Sequence, residues 1–312
     1  MAINTPAALQ ALQIAFKKHF QDGLALAPSQ YKDIAAIVPT TTKFTAYGWL
    51  GAFPSMQEWI GDRTFKNMQA SNYQIEVKPY QSAVSVKRTD LADDQLGIYA
   101  PLFREEGLAA GRHPDQLTFK VLQEAADASG AGGLCYDGKT FFHEKHPVFP
   151  NVDGTGTAIE IANNYKETGV GAKQGPAWYL LDCSRAIKPL IFQEREKVKI
   201  THMVKDDDES VFMRDEYRFG ISARYNVGFG LWQLAARSTK ALNAANFEEA
   251  YTNMRKLKGD GLIPLDVRPT HILVPPQLYG KAMDLVGVQR NASGADNAYY
   301  NRVKIIESAW LD

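Results

Sequence analysis

Tyr73–Lys87 reads YQIEVKPYQSAVSVK. Ile75 and Val77 alternate with Glu76 and Lys78, and Val84 and Val86 alternate with Ser85 and Lys87. A period of two marks strands with one apolar and one polar face. Pro79 falls between the two runs and suggests a long hairpin over 53–90. Two strands alone are marginal in water. This ribbon therefore needs a partner surface, from its own chain or from a neighbouring copy.

Upstream, Thr5–Pro6 is a helix start: an oxygen cap, then a proline whose missing N–H costs nothing there. Leu9, Leu12, Phe16 and Phe20 recur at helical spacing, and Gly23 ends the run. Residues 24–42, with Pro28 and Pro39, read as an extended arm. Downstream, Leu96, Tyr99 and Phe103 share a helical face, and Gly111 and His113–Pro114 interrupt it. A second run carries Leu117, Val121, Leu122 and Ala125, stopped by the glycines at 130–133. Together they predict a long, kinked helical spine. Residues 136–177 are rich in turn formers and predict short strands. WYLL, PLIF, VKIT and FGISARYNVGFG then read as strands, Phe247, Tyr251 and Met254 as a helix, HILV as a buried strand, PQLYGKAMDLV as a helix and RVKII as a last strand. Strands and helices mix without βαβ alternation, so the class is α+β.

Across 312 residues, 35 Lys+Arg balance 35 Asp+Glu, giving a formal charge of +0. A nucleic-acid-gripping protein carries a basic excess or patch. Near-zero charge protects poorly against self-association, a liability for a solitary enzyme and acceptable for a subunit that assembles. Cys135 and Cys183 form no CxxC pair. MAINTPAALQ lacks a signal peptide's basic start and apolar core, and no run of 18 apolar residues predicts a membrane span.

Candidate chemistry is thin. Cys135, Asp137, His143 and His146 are the nearest approach to a metal set, yet HExxH spacing is absent. DDDE at 206–209 lacks the glycine and glutamate of a calcium loop and reads as a solvated turn. GVGAKQG and DGTGTA fit neither a P-loop nor a dinucleotide fingerprint. Asn291–Ala292–Ser293 is a formal glycosylation triplet without secretory context. Trp178, Tyr179, Phe192, Phe229 and Trp232 could stack bases, but sit in apolar runs and read as core. The residues favour a mechanical role without catalysis.

Three blocks carry a family resemblance: WYLLDCSRAIKPLIFQ (178–193), FGISARYNVGFGLWQLA (219–235) and LCYDGKTFFHEKHP (134–147). They resemble the Mu-like major head subunit (gpT) family, and the order of parts resembles the tailed-phage capsid fold of the Hong Kong 97 type. The resemblance implies an N-terminal arm over 1–47 and an extended hairpin (E-loop) over 48–90 that lies on a neighbour. It implies a peripheral domain with the spine helix over 91–175, and an axial α+β domain over 176–312 that returns strands to the peripheral domain. Arg63, Phe65, Lys66, Lys78 and Tyr80 on the hairpin are the implied inter-subunit contacts. In the parent fold a segment like HILVPPQLYGKAMDLV precedes one like WYLLD. Here it follows, so a permuted axial domain is expected, with RVKII beside Ala177.

The implied function is a major capsid protein that assembles through hexamers and pentamers into an icosahedral shell around double-stranded DNA. No cofactor, metal or catalytic residue is implied. Implied partners are further copies, a scaffold or protease, a portal and a decoration protein, with assembly in the bacterial host cytoplasm and no membrane. Neutrality suits a container, because tight phosphate binding would hinder packaging and ejection. In some shells of this fold lysine and asparagine side chains cross-link; Lys66, Asn67, Asn72 and Lys78 read better as ordinary hairpin residues. The rivals are an encapsulin-like compartment shell and a soluble metal-dependent enzyme using Cys135, His143 and His146.

Overall fold

A computed structural model describes residues 6–47, 73–92, 98–127, 133–152, 154–169, 173–205, 207–290 and 294–312. Helix α1 (Pro6–Leu26) leads through the short α2 (Tyr31–Ile34) into strands β1 (Ala35–Pro39) and β2 (Phe44–Ala46). Strands β3 (Gln74–Glu76) and β4 (Lys78–Lys87), helix α3 (Arg88–Ala92) and the long α4 (Tyr99–Glu124) follow. The turn-rich stretch contributes β5 (His146–Val148), β6 (Ile159–Ile161) and β7 (Asn164–Tyr165). Then come β8 (Trp178–Leu181), β9 (Leu190–Met203), α5 (Glu209–Arg214), β10 (Glu216–Phe229) and β11 (Ala235–Ser238). The chain closes with α6 (Ala244–Arg255), β12 (His271–Val274), α7 (Pro276–Ala282) and β13 (Lys304–Glu307).

Two sheets organise these elements. The first has the order β1-β9-β10-β4 and the second β13-β12-β8-β11-β7. Along β10, Tyr217, Phe219, Ile221, Ala223 and Tyr225 are buried between less buried neighbours, and from Val227 to Phe229 every residue is buried. Helices α1 and α4 supply part of that cover, with Phe16 stacked on Phe103 at 4.1 Å and edge-on to Phe219 at 5.5 Å.

The ribbon differs from the expected hairpin. Strand β3 pairs with β2, and Lys78–Lys87 is one continuous strand paired antiparallel to β10. Its partner surface is therefore this chain's own sheet. Pro79 is tolerated because β4 is an edge strand, where a missing N–H breaks no ladder. The arm is likewise built in: β1 pairs parallel to β9, and Ile34, Ala35 and Tyr47 are in the core. The hairpin's remaining part, 48–72, lies outside the described residues.

Gly23 and Gly111, expected to end or interrupt helices, are contact points instead, and Gly107 joins them. A Cβ on Gly23 would lie 1.9 Å from the Arg104 carbonyl oxygen, and one on Gly107 would lie 2.1 Å from that of Phe20. A Cβ on Gly111 would lie 2.4 Å from the Ala27 Cβ. These positions let α1 and α4 meet backbone to backbone, so α1 continues to Leu26 and α4 runs unbroken for 26 residues. At 1.5 Å per residue that is about 39 Å.

The last strand is not the direct neighbour of β8. Strand β12 lies between them, parallel to β13 and antiparallel to β8, so the expected adjacency of RVKII to Ala177 is not formed. The solvated turn expected at 206–209 contains the start of α5, whose Ser210 and Val211 are buried.

Candidate assembly surface

Lys78 and Tyr80 lie on β4, while Arg63, Phe65 and Lys66 fall outside the described residues. Lys78 is exposed, opposite Tyr225 in the ladder. The Tyr80 ring packs within its own chain, stacked on Tyr225 at 5.0 Å and against His113 at 4.5 Å. Burial pushes the Tyr80 and Tyr225 hydroxyls upward in pKa and His113 below the ordinary imidazole value. This knot fastens β4 to both β10 and α4.

The far end of the first sheet is built differently. Phe16, Val86, Leu91, Phe103, Val204, Val211, Tyr217 and Phe219 form a small second core shared by α1, β4, α3, α4, α5 and the β9–β10 hairpin. The Asp208 carboxylate accepts from the Lys205 N–H at 2.8 Å, which shapes the entry into α5. Asp215 ends the helix in the left-handed region (φ 51) and reverses the chain into β10. That short helix cannot turn all its apolar residues inward. Val211 is buried, while Phe212 and Met213 are 80% and 70% exposed. These two adjacent side chains leave an apolar patch open at the tip.

The candidate metal residues are arranged for packing. His146 Nδ1 lies 2.5 Å from Asp137 Oδ2, and its ring stacks on Trp232 at 4.0 Å. His143 Nδ1 accepts from the Lys145 N–H at 3.0 Å. Cys135 is buried with its Sγ toward the Gly230 carbonyl, and burial raises its pKa far above a reactive thiol's. Cys183 is pushed up to about 12, again mainly by burial. Among the described residues no group of three or more His, Cys, Asp or Glu is placed to hold a metal, and no helix is long and apolar enough to cross a membrane. Trp178, Tyr179, Phe192, Phe229 and Trp232 are all core residues. The glycosylation triplet lies outside the described residues.

Two buried carboxylates escaped the sequence reading. Asp115 on α4 accepts the Tyr31 N–H at 2.7 Å and the Gln30 N–H at 3.2 Å, capping α2. Asp182 accepts from the Ser184 hydroxyl at 2.6 Å and the Arg268 N–H at 2.8 Å. Asp115 satisfies only groups distant in sequence, so no local motif betrays it, whereas Asp182 joins its neighbour Ser184 to the distant Arg268.

A 26-residue spine helix packed on one sheet, a second mixed sheet and the match to capsid structures make this a phage capsid subunit of the Hong Kong 97 type. The chain belongs to the family described as Mu-like prophage major head subunit gpT, whose sequence model matches residues 9–311. It is 44% identical over 312 residues to the major capsid protein of Escherichia phage Mu, covering 99% of this chain and all of that one. It is also 44% identical over 286 residues to the Mu-like prophage FluMu major head subunit of Haemophilus influenzae, covering 92% and 91%. Among solved structures, the procapsid of bacteriophage JBD30 matches with TM-score 0.84 and 54% identity over 98% of this chain and 99% of that one. The JBD30 capsid matches with TM-score 0.73 and 41% identity over the whole of both chains. The protein is thus a virion structural component built into a capsid from multiple copies, and not an enzyme.

Proposed function

We propose that this chain tiles an icosahedral head through hexamers and pentamers, enclosing the double-stranded DNA of a tailed, Mu-like phage. The observation that carries this reading is the end-to-end match to the JBD30 procapsid subunit. Arg63, Phe65, Lys66 and the exposed Lys78 reach an adjacent copy, while Tyr80 keeps the root of that ribbon on its own body. A chain of +0 formal charge holds packaged DNA without gripping it. Assembly takes place in the bacterial host cytoplasm, with a scaffold or protease and a portal. The fold matches the subunit of a JBD30 procapsid and of a JBD30 capsid, which supports assembly into a shell. A JBD30 capsid decorated with minor capsid protein trimers also matches, with TM-score 0.73 and 38% identity, which supports a decoration partner here. Shells purified from an induced lysate test the reading. Nuclease-resistant double-stranded DNA inside them is expected; shells that hold only cargo protein would point to an encapsulin-like compartment instead.

A further inference from the structure

The first sheet has a face that α1 and α4 leave open. On β10, Phe219 meets Phe16 and Phe103, and Tyr225 meets His113, so the odd positions face the helices. Successive residues of a strand point to opposite sides, and directly paired residues of neighbouring strands share a side. Arg218, Gly220, Ser222 and Arg224 therefore face away. Their ladder partners bring Met203, Lys199 and Ala83 to that side, and Glu216 brings Lys87. Met203 is 40% exposed, and Ala83, Lys87 and Lys199 are exposed. Lys87, Lys199, Arg218 and Arg224 outnumber Glu196 and Glu216 there, and both acids are already bridged within the face. The open face is thus basic, with an apolar spot at Met203.

The α5 tip carries the complement. Glu209, Phe212 and Met213 are exposed at spacings of three and four, so they share the side of α5 opposite the buried Ser210 and Val211. Asp207, Asp208 and Asp215 add to Glu209 and outnumber Lys205 and Arg214. At 80% and 70% exposure, Phe212 and Met213 are not covered by the open face of their own chain. Tip against tip would bring carboxylates together, which like-charge repulsion disfavours. Tip against open face joins apolar to apolar and acid to base.

We propose that the α5 tip of one copy docks on the open face of the first sheet in a second copy. Phe212 and Met213 cover Met203 and Ala83, and Asp207 and Glu209 face Lys87 and Lys199. Because the halves differ, the contact is heterologous and passes from copy to copy, closing into a ring where the rotation allows. This rests on the capsid reading above and adds which surfaces of two copies meet.

The test uses assembled shells in which a minority of subunits carry Phe212→p-benzoylphenylalanine. Irradiation is expected to give covalent dimers on denaturing electrophoresis, with position 212 joined to a peptide containing Ala83–Lys87 or Lys199–Met203 of another copy. In parallel, Asp207→Lys with Glu209→Lys is expected to cut shell yield about tenfold, and adding Lys87→Glu with Lys199→Glu to recover most of it. Adducts within one chain only, adducts confined to other regions or to a decorating protein, or unchanged yield in the charge-reversed variant overturn the inference while leaving the capsid reading standing. Wild-type protein that forms no shells overturns both.

Discussion

His113 Nδ1, on the spine helix, lies 2.7 Å from the Tyr225 hydroxyl on the sheet beneath it. The same imidazole packs against Tyr80, so one side chain ties α4, β10 and the edge strand β4 together. Desolvation holds the His113 pKa below its unfolded value of 6.5. A base whose folded pKa is depressed contributes stability that is complete above the unfolded pKa and is lost as pH falls below it. Stability should therefore decline from pH 6.5 downward, and His113→Phe should flatten that slope relative to wild type. Urea unfolding at a series of pH values reads this; identical slopes in the two proteins would remove the assignment.

The α1–α4 crossing depends on hydrogen in place of a side chain. Gly107→Ala sets a Cβ against the Phe20 carbonyl oxygen and should cost about 2 kcal/mol or more. Gly280 in α7 has nothing within 4 Å of a Cβ, so Gly280→Ala should gain about 0.5–1 kcal/mol from helix propensity. Chemical denaturation of the pair checks opposite signs for one and the same substitution.

Asp115 satisfies two backbone donors at the start of α2. Asp115→Ala leaves both without their acceptor and should lose about 2 kcal/mol, with Asp115→Asn losing roughly half as much. A loss of the same size in both variants would assign the effect to charge rather than to capping.

The His146–Asp137 pair is buried and stacked on Trp232. Asp137→Ala leaves a buried imidazole unpaired and should cost about 3 kcal/mol. Chelators and added zinc should leave the unfolding midpoint of the wild type unchanged. A zinc-dependent rise in the midpoint would revive a metal site at Cys135, His143 and His146.

Where local pattern and tertiary use agree, the elements were legible. HILV became β12 because a short apolar run suits a strand buried on both faces, and Pro276 opens α7 because proline is preorganised for a first turn. Phe247 and Met254 face the core as their spacing requires. The glycines at 23 and 111 misled because a glycine's helix cost is local, while its use here depends on a second helix far along the chain. Pro79 misled because edge position is a property of the sheet and not of the residue. The charge balance was readable, as was the strand character of 74–87. Phe212 and Met213 were not, since SVFMR looks the same whether its apolar residues turn inward or out. Only the small core that takes Val211 decides that the other two are left outside.

Electron microscopy of the purified protein, across a range of concentration and salt, measures most directly whether this chain is a shell tile. Closed particles, or capsomers with six-fold and five-fold projections, are predicted. A monodisperse single chain under every condition would contradict the account.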